Sequence, residues 1–144
     1  MKKLMFIVNP NAGKGGYKSA LGGVLHIFYQ AGYLPEIYFT AGQGDATRLC
    51  LEHATDYDLV VCMGGDGTLS EVVAGLHRLE NAPELGYIPM GTANDVATSL
   101  GLSRDASECA RTIVTGRAME LDIGRMGENY FTYIAAFGAF TDVS

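Results

Sequence analysis

Two hydrophobic periodicities alternate along the chain. From Lys3 to Val8 the residues are almost continuously apolar and stop at Asn9-Pro10, which predicts a short buried strand. From Lys18 to Gln30 the apolar residues fall at Leu21, Val24, Leu25 and Phe28, the spacing of one helix face. The alternation continues with strands over Leu34 to Phe39, Asp58 to Met63 and Leu85 to Pro89. Between and after them come helices over Asp45 to Ala54, Thr68 to Leu79, Thr92 to Leu100 and Arg104 to Thr115, with Asp45 as the expected N-cap of its helix. This order predicts an α/β fold: a doubly wound, mostly parallel sheet with helices on both faces, a Rossmann-like three-layer arrangement. Right-handed crossovers put every loop that follows a strand on one edge, and ligands of such sheets bind at that carboxyl edge.

After Arg117 the pattern changes. "MELDIGRMGENYFTYIAAFGAF" reads as a strand, a Gly-Glu-Asn turn and a second, aromatic-rich strand, which predicts a hairpin. We therefore expect an α/β domain over residues 1–117 and the start of a β-rich region over 118–144. No internal repeat or low-complexity segment is visible.

Composition narrows the compartment and the partners. The 144 residues suffice for one domain with a core, and the apolar runs are too short for a membrane-spanning helix or a signal peptide. Cys50, Cys62 and Cys109 form no CxxC pair, so neither a disulfide framework nor a zinc site is expected, and a cytoplasmic location follows. The net charge of −6 argues against nucleic-acid binding and against adhesion to an anionic membrane. All four lysines (Lys2, Lys3, Lys14, Lys18) nevertheless lie in the first eighteen residues, around a glycine-rich loop: either a solvated edge or a local anion site. His26, His53 and His77 fall on helices away from the motifs and read as ordinary surface or interface residues.

Four loops fall at the carboxyl edge. "NPNAGKGG" (Asn9 to Gly16) is neither a Walker A loop nor GxGxxG, but its glycines let backbone N–H groups approach an anion ahead of a helix. Thr40 ends the second strand before "AGQGDA". In "GGDGTLSE", Gly64 and Gly65 turn the chain off the third strand and Gly67 keeps side chains away from the turn. Thr68 and Glu71 have the spacing of a capping box, which leaves Asp66 to be explained. A carboxylate beside a helix N-terminus either forms the turn or meets a metal-bound phosphate or a reacting hydroxyl. In "GTANDVA", Thr92 and Asp95 again have capping-box spacing, and Asn94 does not share that explanation.

"GGDGT" resembles the signature shared by diacylglycerol, sphingosine and ceramide kinases and by NAD kinases. Together with "VNPNAGKG" and "IPMGTANDVA", in order, it is similar to the bacterial diacylglycerol kinase catalytic domain, and the likeness runs on through "LDIG" and "YFTYIAAFGAFTDVS". NAD kinases share the Asp-Gly loop but not "NPNAG" or "GTAND". The resemblance implies ATP-dependent phosphorylation of a lipid hydroxyl, as in making phosphatidic acid from diacylglycerol, with Mg2+ as the metal. It implies a nucleotide site formed by Asn9, Pro10, Asn11, Ala12, Gly13, Thr40, Gly65, Asp66, Gly67, Thr68, Leu69, Ser70, Glu71 and Thr92. Asp66 is the expected catalytic and metal-associated residue, with Lys14, Asn94 and Asp95 in support. Family members run to about twice this length. Their second, β-rich domain supplies the acidic base, a magnesium site and much of the lipid pocket, so this chain reads as the nucleotide-binding half. Peripheral contact with the inner face of the membrane is expected through that other half, and the reading leaves room for a homodimer. NAD-kinase-like phosphorylation of a ribose hydroxyl and a non-catalytic nucleotide-binding regulatory module are the alternatives.

Overall fold

A computed structural model describes residues 1–92, 94–116, 118–122 and 131–135. The elements follow in the order β1 (Lys2–Val8), α1 (Tyr17–Gln30), β2 (Tyr33–Phe39), α2 (Asp45–His53), β3 (Leu59–Gly64), α3 (Asp66–His77), β4 (Glu84–Pro89), α4 (Asp95–Leu100), α5 (Ala106–Thr115), β5 (Ala118–Asp122) and β6 (Phe131–Ala135). They build one six-stranded sheet of order β2-β1-β3-β4-β6-β5. The pairings among β1 to β4 and between β4 and β6 are parallel; β5 and β6 pair antiparallel. The expected α/β, mostly parallel architecture is therefore what the chain adopts. The expected hairpin pairing is present in β5 and β6, while its Gly-Glu-Asn turn lies outside the described residues.

The central strands show why an apolar run becomes a parallel strand here. Leu4 to Val8 of β1 and Val60 to Met63 of β3 have no solvent exposure, because helices cover both faces of the sheet. The helices pack as pairs, α1 with α5 and α2 with α3, which right-handed crossovers place on opposite faces. Val24 and Phe28 of α1 reach the core, and Phe28 meets Phe6 edge-to-face at 5.8 Å. On the other face Gly75 of α3 lies so close to α2 that a Cβ there would stand 2.8 Å from the Cβ of Cys50 and 3.0 Å from the Thr47 carbonyl oxygen.

The edge strand β2 is different. Leu34, Ile37 and Phe39 are exposed. The Gly32 carbonyl and the Thr40 N–H both bond to β1, so alternation turns the backbone of Pro35 outward, where its missing N–H leaves no broken ladder bond.

The topology fixes where a ligand can sit. From β1 the chain crosses to β2 on one side, and from β3 to β4 on the other. The switch point is therefore the crevice between the carboxyl ends of β1 and β3, at Asn9 and Gly65.

Candidate functional site at the carboxyl edge of the sheet

Asn9 closes the crevice. Its N–H donates to the Met63 carbonyl at 3.0 Å, its Oδ1 accepts from the Asn11 N–H at 3.0 Å, and its Nδ2 donates to Thr68 Oγ1 at 2.9 Å. One side chain thus joins the loop after β1 to the first turn of α3. The loop continues through a 3-10 turn, Ala12–Gly15, in which Gly13, Lys14 and Gly15 all take positive φ (52°, 62° and 76°). Gly13 could be nothing else: a Cβ there would fall 1.9 Å from the Met90 carbonyl oxygen. The Lys14 side chain is exposed.

The loop between β3 and α3 is set by close approach. A Cβ on Gly64 would meet Thr68 at 2.9 Å, and one on Gly65 would meet the Gly91 Cα at 3.2 Å, whereas Gly67 faces open space. Tyr87 of β4 donates its hydroxyl to the Gly64 carbonyl at 3.3 Å from full burial, and that burial pushes its pKa up. Helix α3 begins at Asp66, not at Thr68 as the pattern predicts, and its N-cap is Gly65. Thr68 is therefore no cap. It is a buried hydroxyl that receives the Asn9 amide.

Both carboxylates of this loop reach away from their own helix. Asp66 accepts from the N–H of Asp95 at 2.7 Å (Oδ2) and of Val96 at 3.1 Å (Oδ1), so it caps α4 from outside. Glu71 accepts from the N–H of Gly44 at 2.9 Å (Oε2) and of Ala46 at 3.2 Å (Oε1), so it caps α2. These contacts correct three expectations. Thr68 and Glu71 form no capping box, because helix packing offers Glu71 a neighbouring helix end. Asp45 is not the N-cap of α2; that position is Gly44 at φ 84°, and the Asp45 carboxylate instead accepts from the Ala41 N–H at 2.8 Å and pairs with Arg48. The Ala41 bond and then Arg48 hold the Asp45 carboxyl below its ordinary pKa. The pair of Thr92 and Asp95 is no box either, since α4 begins at Asp95 behind Asn94 at φ 52°. Asn94 is buried, and among the described residues its Oδ1 has no hydrogen-bond donor.

Between these loops lies a cleft of about 340 Å³ lined by Asn9, Asn11, Thr40, Gly42, Gln43, Gly67, Thr68 and Glu71. It gathers members of the first three sequence-predicted loops. Gly42 and Gln43 line it as well, and sequence reasoning passed over them because "AGQGDA" carries no ligand-like pattern. Leu69 is fully buried in the core, and Ser70 is half-buried. Asp66, Gly65, Asn94 and Asp95 gather around the contact between Gly65 and Gly91, outside the cleft lining, with Thr92 next to Gly91 in sequence; Pro10, Ala12, Gly13 and Lys14 belong to the loop after β1, whose Gly13 lies against the Met90 carbonyl after β4. Among the described residues, no three His, Cys, Asp or Glu side chains come together as a metal-binding group. Among them, too, no helix is long and apolar enough to cross a membrane.

A doubly wound sheet with a hydrogen-bonding cleft at its switch point places the chain among α/β proteins, whose ligands bind at the carboxyl edge of the sheet. Comparison with known proteins gives the family. The diacylglycerol kinase catalytic domain family matches residues 3–126, and the chain belongs to it. It is 43% identical over 146 aligned residues to a diacylglycerol kinase of Bacillus subtilis (strain 168), covering 100% of this chain and 48% of the relative. A diacylglycerol kinase of Staphylococcus haemolyticus (strain JCSC1435) is 44% identical over 140 residues, covering 96% of this chain and 42% of that protein. The crystal structure of a diacylglycerol kinase from Bacillus anthracis str. Sterne superposes with a TM-score of 0.76 at 38% identity, over 84% of this chain and 42% of that one. The chain thus spans about half the length of the curated relatives it matches.

Proposed function

We propose that the chain is the nucleotide-binding half of a lipid kinase that transfers a phosphoryl group from ATP to the hydroxyl of diacylglycerol. The observation that carries this reading is the cleft at the switch point, to which loops from β1, β2 and β3 each contribute hydrogen-bonding groups. Among the described residues its lining of amides, hydroxyls and one engaged carboxylate includes no cation, so it suits an uncharged nucleoside better than a phosphate chain. The phosphates then extend towards Gly67, the α3 N-terminus and the Gly13–Gly15 turn with Lys14, where backbone N–H groups and a cation favour negative charge. Family matches from kinases support the same direction.

Phosphoryl transfer asks a protein for alignment and charge neutralisation more than for covalent chemistry. Asn9, Thr40 and Thr68 are held by hydrogen bonds or burial and so are positioned in advance. Asp66 is suited to Mg2+ as a single carboxylate: each oxygen accepts one N–H and keeps a further lone pair for a cation or its water. Magnesium bound with the nucleotide would neutralise charge on the phosphates. Asp66 and Glu71 each hold a helix N-terminus, so both carboxylates are fixed in place beside the cleft. We assign the base, most of the lipid pocket and the contact with the inner membrane face to the further half that relatives possess, with residues 118–144 leading into it. Self-association would best use the exposed edge of β2, at Leu34, Ile37 and Phe39.

The test is radiolabelled phosphoryl transfer in mixed micelles of diacylglycerol, with NAD as a parallel acceptor. The chain extended to the length of its relatives should label the lipid, and residues 1–144 alone should bind ATP weakly and label nothing. Labelling of NAD instead, or ATP binding with no transfer by the extended protein, would replace this reading with a NAD-kinase-like or a regulatory one.

A further inference from the structure

Tyr87 brings a hydroxyl into a core that otherwise has none at that level of the sheet. Among the described residues, the other buried side chains of β1, β3 and β4 are apolar or thiol: Leu4 to Val8, Leu59 to Met63, Leu85 and Ile88. A buried hydroxyl costs free energy unless it finds an acceptor, and phenylalanine would fill the same space without that cost. The acceptor that Tyr87 finds is the Gly64 carbonyl, at 3.3 Å. The same carbonyl accepts the Met90 N–H at 2.8 Å. The phenol bond is the longer of the two and adds to a carbonyl that the sheet already holds.

The peptide held in this way lies between two glycines, where no Cβ resists its rotation. It is trans, so the Gly65 N–H points opposite to the Gly64 carbonyl. The carbonyl faces β4, and β3 lies between β1 and β4, so this N–H is turned towards β1 and the crevice. The next acceptor on that edge of β1, the Asn9 carbonyl, takes the Ala12 N–H instead, at 3.3 Å, as the chain turns at Pro10. Among the described residues, no acceptor takes the Gly65 N–H. Gly65 is also the N-cap of α3, where the helix end favours negative charge. A carbonyl that accepts hydrogen bonds polarises its own peptide, which makes the opposite N–H a stronger donor.

Resting on the nucleotide-binding reading, we propose that Tyr87 is a positioning residue for the phosphate chain: its buried hydroxyl holds the Gly64–Gly65 peptide so that the Gly65 N–H is presented to the crevice as an anion donor. Tyr87 acts from the core side and touches no ligand. Because the Met90 bond remains without it, loss of the hydroxyl weakens phosphate binding and does not abolish it.

The experiment compares the isotopically labelled 144-residue chain with Tyr87→Phe, which removes the oxygen and keeps the ring, using MgATP and adenosine as probes. Without ligand, the nitrogen resonance of Gly65 should move in Tyr87→Phe, since its peptide carbonyl has lost a donor, while the amides of β1 stay where they are. The Kd for MgATP should rise about threefold to tenfold. The Kd for adenosine should not change, because adenosine has no phosphate for the Gly65 N–H to meet. A role in packing alone would weaken both ligands alike or neither. Equal MgATP affinity in the two proteins therefore overturns the proposal, and so does an equal loss for adenosine. Failure of the unmodified chain to bind MgATP refutes the nucleotide reading instead, and the Gly65 resonance still decides whether Tyr87 holds the peptide: an unmoved resonance means that it does not.

Discussion

Asp66→Asn separates capping from chemistry. The carboxylate offers one oxygen to the Asp95 N–H at 2.7 Å and the other to the Val96 N–H at 3.1 Å. Asparagine has a single carbonyl oxygen, so however its amide is turned, one of those N–H groups faces an NH2 donor. The variant therefore loses one charge-assisted bond, keeps one weaker neutral bond and leaves one first-turn amide without a partner. A bond to a charged group contributes about 1.5–3 kcal/mol and a helix cap typically about 1. Asp66 is only half-buried, so water recovers part of the loss, and about 1–2 kcal/mol is the expected cost. With a urea slope of about 2 kcal/mol/M, the midpoint should fall by roughly 0.5–1 M at unchanged slope. Asp66→Ala, which loses both acceptors, should fall further. In the extended protein, activity should drop about a hundredfold or more if the carboxylate also serves magnesium or phosphate. A midpoint that moves by less than about 0.2 M would show that Asp66 does not cap α4 in solution. Full activity in a well-folded Asp66→Asn protein would remove its proposed role in the chemistry.

Two further outcomes follow from the packing. Gly75→Ala should destabilise by about 1–3 kcal/mol in the same titration, because its Cβ overlaps Cys50 and the Thr47 carbonyl; an unchanged midpoint would mean that α2 and α3 are not so closely seated. Burial pushes the Cys50 and Cys109 thiols up to about 12 and about 11, and raises Cys62 as well. The thiolate forms only as pH climbs through these values, so at pH 8 iodoacetamide should label none of the three cysteines in the native chain and all three in urea. Rapid native labelling at pH 8 would contradict the burial.

The architecture was legible because each buried strand of a parallel sheet is a continuous apolar run and each helix keeps its own period. Val60 to Met63 and Val24 to Phe28 announce themselves without help from the rest of the chain. Element ends were harder. The helix expected from Thr68 starts at Asp66, and the one expected from Thr92 starts at Asp95, because the caps come from across the structure. A capping box is a local pattern, whereas Asp66 and Glu71 each cap a different helix, a choice that only tertiary packing makes available. For the same reason Gly42 and Gln43 were missed: their place in the cleft follows from how the loop after β2 packs beside α3. The motif residues Asn9, Thr40, Gly67 and Thr68 could be picked out in advance, but the reason they stand together is the switch point between β1 and β3.

That crevice is the centre of the account, and amide spectra of the labelled 144-residue chain titrated with MgATP test it most directly. Saturable shifts should gather at Asn9, Asn11, Thr40, Gly42, Gly67 and Thr68, with the amino-edge residues Lys3, Asp58 and Glu84 undisturbed. Shifts scattered over the surface, or none at millimolar nucleotide, would contradict a nucleotide site at the switch point.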